Sequence, residues 1–162
     1  MGGGRVDPDH RPAGTGADTL IVFTSDNGPE ICVRDVRQQF GHNAAGPLRG
    51  LKRDNWEGGH RVPFVARWTG RIAPGTTSTE TLCLTDLMAT AAVLSGATLP
   101  ADAAEDSYNM LPALLGKKGK RPIREATVHH SFDGSFAIRQ GDWKLLPHRG
   151  AGNTNYARIP PE

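Results

Sequence analysis

The chain has 162 residues, 19 Lys and Arg against 17 Asp and Glu, and 37% hydrophobic residues. That length holds one domain at most, and a net charge of +2 gives no electrostatic case for nucleic acid or an anionic membrane surface. There is no glycine period, no heptad run and no apolar stretch approaching the roughly 18 residues of a membrane span, so collagen, coiled coil and a spanning helix are excluded.

Glycine and proline together make up roughly a fifth of the chain, against about 12% on average, which implies a loop-rich protein. It is not a disordered one, because the apolar residues come in blocks. The two cysteines, Cys32 and Cys83, form neither a disulfide framework nor a C-x-x-C metal pair. The opening Met1-Gly2-Gly3-Gly4-Arg5 lacks the apolar core of a signal peptide.

Residues 1–18 are Gly/Pro/Asp-rich and aperiodic, and are expected to be a flexible lead-in. Thr19 to Thr24 is a continuous apolar, β-branched run, the pattern of a strand buried on both faces in a parallel sheet. It stops at Ser25-Asp26-Asn27-Gly28-Pro29, a dense turn signal. In open α/β sheets ligands bind beyond the carboxyl ends of strands, so a polar Asp-Asn pair there is a candidate site.

Residues 30–61 contain no convincing long element and are punctuated by Gly41, Gly46, Gly50, Gly58 and Gly59. A loop of this length in a compact domain is usually functional or disordered. Val62 to Trp68 is a second strand, with Pro63 near its start where a missing N–H is tolerated. A helix is expected from about Asp86 to Ser95, capped by Thr85 or Asp86, with Leu87, Ala91 and Leu94 on one face and Gly96 closing it. A short helix around Leu111–Leu115 ends at Gly116, and the basic run Lys117–Arg121 has the character of a solvated connector. Ser135–Arg139 and Trp143–Leu146 flank Gln140-Gly141-Asp142 as a β-hairpin.

Three stretches, TLIVFTSDNGPE, GPLRGLKRDNWEGGHRVPFVARWTGRIAPG and TDLMATAAVLSG, closely resemble the sulfatase family, of the arylsulfatase type within the alkaline-phosphatase-like superfamily. The later HHSFDGSFAIRQGDWKLL is similar to the start of that family's C-terminal subdomain. The likeness covers roughly residues 19–146 and is to the back part of a sulfatase. It implies an α/β fold: a partial sulfatase catalytic domain over 19–116, then a linker and the hairpin of an antiparallel C-terminal subdomain over 117–162.

The resemblance also implies roles. Asp26 and Asn27 match the family's ligands to an active-site calcium, and a carboxylate beside an amide carbonyl suits a hard divalent cation. Taken alone, Asp-Asn-Gly is also a tight turn whose side chains bond their own backbone. Lys52 matches a lysine that contacts the sulfate and its ester oxygen, where an ammonium would stabilise developing charge. His60, in Glu57-Gly58-Gly59-His60-Arg61, is either a contact to the substrate's leaving group or a structural histidine. His42, His129 and His130 carry weaker signals; the last two, adjacent on a strand, would face opposite sides.

Sulfatases attack sulfur with a formylglycine made from Cys-x-Pro-x-Arg or Ser-x-Pro-x-Arg, and no such motif occurs in these 162 residues. The resemblance therefore implies a sulfuric ester hydrolase represented by a fragment, inactive and poorly soluble by itself, whose partner is the missing N-terminal part of a sulfatase. The alternatives are a phosphatase or phosphonate monoester hydrolase of the same superfamily, and a truncated, non-catalytic product. The family is usually exported to the periplasm or outside the cell.

Overall fold

The computed structural model describes residues 16–152. Within them, strand β1 (Leu20–Thr24) is followed by helices α1 (Val33–Phe40) and α2 (Glu57–His60), then β2 (Phe64–Trp68), α3 (Asp86–Ser95), α4 (Leu111–Leu114) and three strands. These last are β3 (Thr127–His130), β4 (Phe136–Gln140) and β5 (Trp143–Leu145). Most of the expected lead-in, residues 1–15, lies outside the described residues. Its last three residues form a turn, where the Ala17 carbonyl accepts the Trp68 indole N–H at 2.8 Å.

Both apolar runs read as strands are strands, but they pair with each other. β1 is antiparallel to β2, Leu20 opposite Trp68 and Thr24 opposite Phe64. The parallel, doubly buried strand is thus corrected. Successive side chains of a strand alternate between faces, and only the face of Leu20, Val22, Ala66 and Trp68 is sheltered. Ile21, Phe23 and Val65 stand 53%, 68% and 60% exposed on the other. A run apolar on both faces suits two-sided burial, and among the described residues no second layer covers it.

α3 spans Asp86 to Ser95 and is closed by Gly96 in the left-handed region. Its expected core face is wrong: Ala91 and Leu94 are exposed, while Asp86, Thr90 and Ala92 are buried. The reason is a polar knot. Asp86 accepts the Arg124 guanidinium at 2.7 Å and the Tyr108 N–H at 2.9 Å, and Thr90 Oγ1 accepts the Met110 N–H at 2.9 Å. Hydrogen bonding to the segment that leads into α4, rather than apolar spacing, decides the orientation. Nor does a side chain cap the helix at Thr85; Asp86 Oδ2 instead accepts the Cys83 N–H at 2.8 Å.

Sequence pattern missed α1 because nothing in it is buried. Its boundary signal was present, since Gly41 ends it at φ 68° with its N–H bonded to the Arg37 carbonyl. α4 and the hairpin form as expected, and Gly141 turns the hairpin at φ 54° between paired Gln140 and Trp143. β3 adds to it, giving an antiparallel sheet ordered β3-β4-β5.

That sheet has an unusual orientation. Thr127, His129, Ala137, Arg139 and Lys144 lie on its sheltered face. Val128, Phe136, Ile138, Trp143 and Leu145 lie on its open one, with Trp143 84% exposed. The polar face points into the molecule because it meets a charged loop, residues 48–61, next to the candidate site.

Candidate active site

β1 delivers Ser25, Asp26 and Asn27 to a turn at its carboxyl end. Ser25 Oγ donates to the Asn27 carbonyl at 3.0 Å and approaches Asp26 Oδ1 at 3.5 Å. Asn27 Nδ2 donates to the Gly28 carbonyl at 3.1 Å. The turn therefore bonds its own backbone through its side chains. It does so with the Asn27 amide nitrogen, leaving Oδ1 outside those bonds, and the Asp26 carboxylate is exposed.

Loop 48–61 packs onto this turn through backbone. The Gly28 N–H donates to the Gly59 carbonyl at 2.9 Å, and the Lys52 N–H donates to the Pro29 carbonyl at 2.9 Å. The approach is so close that a Cβ on Gly28 would overlap the Gly58 carbonyl oxygen. Within the loop, Gly58 N–H donates to the Arg49 carbonyl at 2.7 Å and the Arg49 guanidinium lies 4.1 Å over Trp56. Lys52 is thereby held beside the Asp26–Asn27 turn by main-chain geometry.

Glu30 completes the contact and was not singled out from sequence. Its carboxylate binds Arg53 at 2.6 Å and lies 4.0 Å from Lys52 Nζ. The Arg53 hydrogen bond, then that of the Ile31 N–H, with smaller help from Lys52, holds its carboxyl down at about 2. Arg53 itself sits at φ 80°, a left-handed conformation that is costly for a non-glycine residue. The Phe132 N–H bonds its carbonyl at 3.2 Å. Nothing in local sequence announces that strain.

An open cavity of about 550 Å³ adjoins Asn27, lined among others by Asn43, Leu48, Arg61 and Pro63. Asp26, Lys52 and His60 do not line it; the His60 side chain is turned elsewhere. Its ring lies instead against His129, centroids 4.1 Å apart, while His130 is on the opposite face against Phe136 at 5.8 Å. The expectation that the adjacent histidines face opposite ways thus holds. His42 is exposed in the loop after α1.

As a test of calcium, Asp26 and Asn27 supply the right donor types, a carboxylate and an amide oxygen, both at the surface of a turn. Among the described residues no group of three or more His, Cys, Asp or Glu is placed to hold a metal ion. The pair fits a hard cation as two of its roughly six to eight oxygen ligands.

The family profile named Sulfatase matches residues 11–97, more than half of the chain. An N-acetylgalactosamine-6-O-sulfatase of Bacteroides thetaiotaomicron is 36% identical over 143 residues, 86% of this chain and 27% of that relative. Human arylsulfatase A is 40% identical over 131 residues, 78% of this chain and 24% of the relative. Among solved structures, one from a Bacteroides thetaiotaomicron glycosaminoglycan-metabolism locus superposes with TM-score 0.70 at 35% identity. It is covered over 80% of this chain and 27% of its own. The PsFucS1 sulfatase from Pseudoalteromonas sp. gives 0.67 at 33% identity, over 82% and 26%.

The architecture is that of part of an α/β sulfatase domain with small antiparallel sheets. The chain belongs to the sulfatase family, and it spans about a quarter of the length of the relatives it matches. Among the described residues no helix is long and apolar enough to cross a membrane.

Proposed function

We propose that this chain supplies the rear half of the active site of a sulfuric ester hydrolase, with Asp26, Asn27 and Lys52 as its working residues. The observation that carries this is the backbone docking of the Lys52 loop onto the Asp26–Asn27 turn. It brings the Lys52 main chain beside the turn that carries two oxygen donors at the carboxyl end of β1.

Cleaving a sulfate monoester breaks an S–O bond while negative charge builds on the leaving oxygen. Lys52 would donate to the sulfate or ester oxygen and stabilise that charge, and Glu30 lies 4.0 Å from its head group. Asp26 and Asn27 would hold calcium, which polarises sulfate oxygens when bound. The sulfatase relatives favour sulfate over the phosphate and phosphonate esters of the wider superfamily. The nucleophile and the remaining ligands would come from the front part of a sulfatase, which we propose as the partner of this chain.

A chimaera tests this: residues 19–152 replacing the matching part of the Bacteroides N-acetylgalactosamine-6-O-sulfatase, assayed with aryl sulfate and aryl phosphate. Sulfate hydrolysis is expected, falling about 10²–10³-fold in kcat on Lys52→Ala, the scale of losing one charge-stabilising donor. An active chimaera indifferent to Lys52→Ala, or one that prefers the phosphate, would contradict the assignment.

A further inference from the structure

Loop 48–61 touches two bodies. One side docks on the Asp26 turn; the other meets the polar face of β3-β4-β5. There Asn55, fully buried, donates through Nδ2 to the Ser135 carbonyl at 2.8 Å, and its N–H donates to the Ala151 carbonyl at 2.7 Å. Glu57 accepts Lys144 from β5 at 2.9 Å and lies 3.6 Å from Arg139 of β4. His60 of α2 and His129 of β3 face each other at 4.1 Å, planes tilted by 43°.

The hydrogen bonding of these two rings is lopsided. Each has a buried Nε2 with no partner. The main chain of Asp54 lies near His60 and that of Asn55 near His129. A neutral imidazole protonated at Nδ1 leaves Nε2 as a bare lone pair, and both Nε2 atoms here are enclosed. A proton added at either Nε2 would be a buried cation without an acceptor.

The surrounding charges make this worse. Lys144 of β5 acts on both rings, His130 follows on β3, and Arg139 of β4 and Arg61 lie near Glu57. Glu57 is the carboxylate among them, and it is already shared by Lys144 and Arg139. We infer that His60 and His129 form an acid-released clasp, joining the loop that carries Lys52 to the β3-β4-β5 sheet while both rings are neutral. The clasp stands on the ring geometry and does not depend on the role of Lys52.

Burial, first, and then the neighbouring imidazole and Lys144 push His129 down to about 4; burial and then Lys144 also lower His60. A histidine depressed in the closed form binds fewer protons than in the open form. The clasp's stability is therefore fully present above the ordinary value of 6.5 and is lost as pH falls from there towards about 4.

Hydrogen exchange on the 162-residue chain, corrected for intrinsic rates, tests this. Between about pH 7.5 and 4.5, protection of amides 55–60 and 127–130 should fall at least about tenfold, the effect of one unit of depressed pKa. Protection of α3 should persist. His129→Phe, and separately His60→Phe, should reduce the pH dependence, whereas His130→Phe should not. A titration of the His129 ring by NMR gives a second readout, expected well below 6.5. Unchanged protection down to low pH, simultaneous loss of α3, no protection of β3 at neutral pH, or a His129 midpoint near 6.5 would each overturn the clasp.

Discussion

At the scale of single residues, the candidate site depends on atoms that are not there. Gly28 and Gly58 do not lie at positive φ; what they provide is space. A Cβ on Gly28 would meet the Gly58 carbonyl, and one on Gly58 would meet the carbonyls of Gly50 and Arg49. Gly28→Ala must therefore push loop 48–61 off the turn. We expect it to cost about 1–3 kcal/mol in urea unfolding, the range of overpacked sites, and to deprotect the Lys52 amide. An unchanged midpoint with a protected Lys52 amide would show that the loop docks by other contacts. The charged residues follow the same logic of placement. Arg124, 4% exposed, is tied to Asp86 at 2.7 Å and Asp106 at 3.0 Å, a pairing that buries a carboxylate inside α3's first turn.

At the scale of elements, the β3-β4-β5 sheet is the informative case. Its polar face is sheltered where Lys144 and Arg139 meet Glu57 and the Ser135 carbonyl accepts from Asn55 Nδ2, and so its apolar face is left outward. Val128 is opposite Ile138, and Ile138 opposite Leu145, which makes a continuous row across the three strands. Contiguous exposed apolar surface promotes association. Ile138→Thr with Trp143→Lys is expected to reduce light scattering of the chain while changing stability by only about 0.5 kcal/mol, as surface substitutions do. A large stability loss would mean that this face is packed in solution. α1 is the opposite kind of element: none of its residues is fully buried, and Gly41 closes it.

At the scale of the molecule, the core is thin. Among the described residues the buried apolar ones are Trp68, Ala92, Met110, Ala113 and Ala137, whereas Ile21, Phe23, Val65 and nearly a dozen other large apolar side chains are exposed. Such surface belongs against other structure, in keeping with a chain that spans about a quarter of its relatives. With no formylglycine motif and two candidate calcium ligands, the purified chain is expected to leave a chromogenic aryl sulfate unhydrolysed. It should bind calcium more weakly than about 1 mM, the weak end of protein calcium sites. Turnover by the purified chain, or micromolar calcium binding in calorimetry, would refute this.

The amino-acid sequence by itself determined the family, both strands of the first sheet, the extents of α3 and α4, and the hairpin. Each of these is written locally, in an apolar run, a glycine stop or a turn. The Asp26-Asn27-Gly28 turn and the Arg49–Pro63 run were legible for the same reason, as short ordered motifs. Tertiary structure alone decided which way β1 pairs, which face of α3 is buried, and that the sheet at the C-terminal end turns its polar side inward. It also decided that Glu30 binds Arg53 beside Lys52 and that His60 meets His129. Those outcomes depend on partners 20 to 90 residues away, as in the pairs Arg53–Glu30, Arg124–Asp86 and Lys144–Glu57. Periodicity reports where a side chain points along its own element; it holds no record of the charge waiting on the next one.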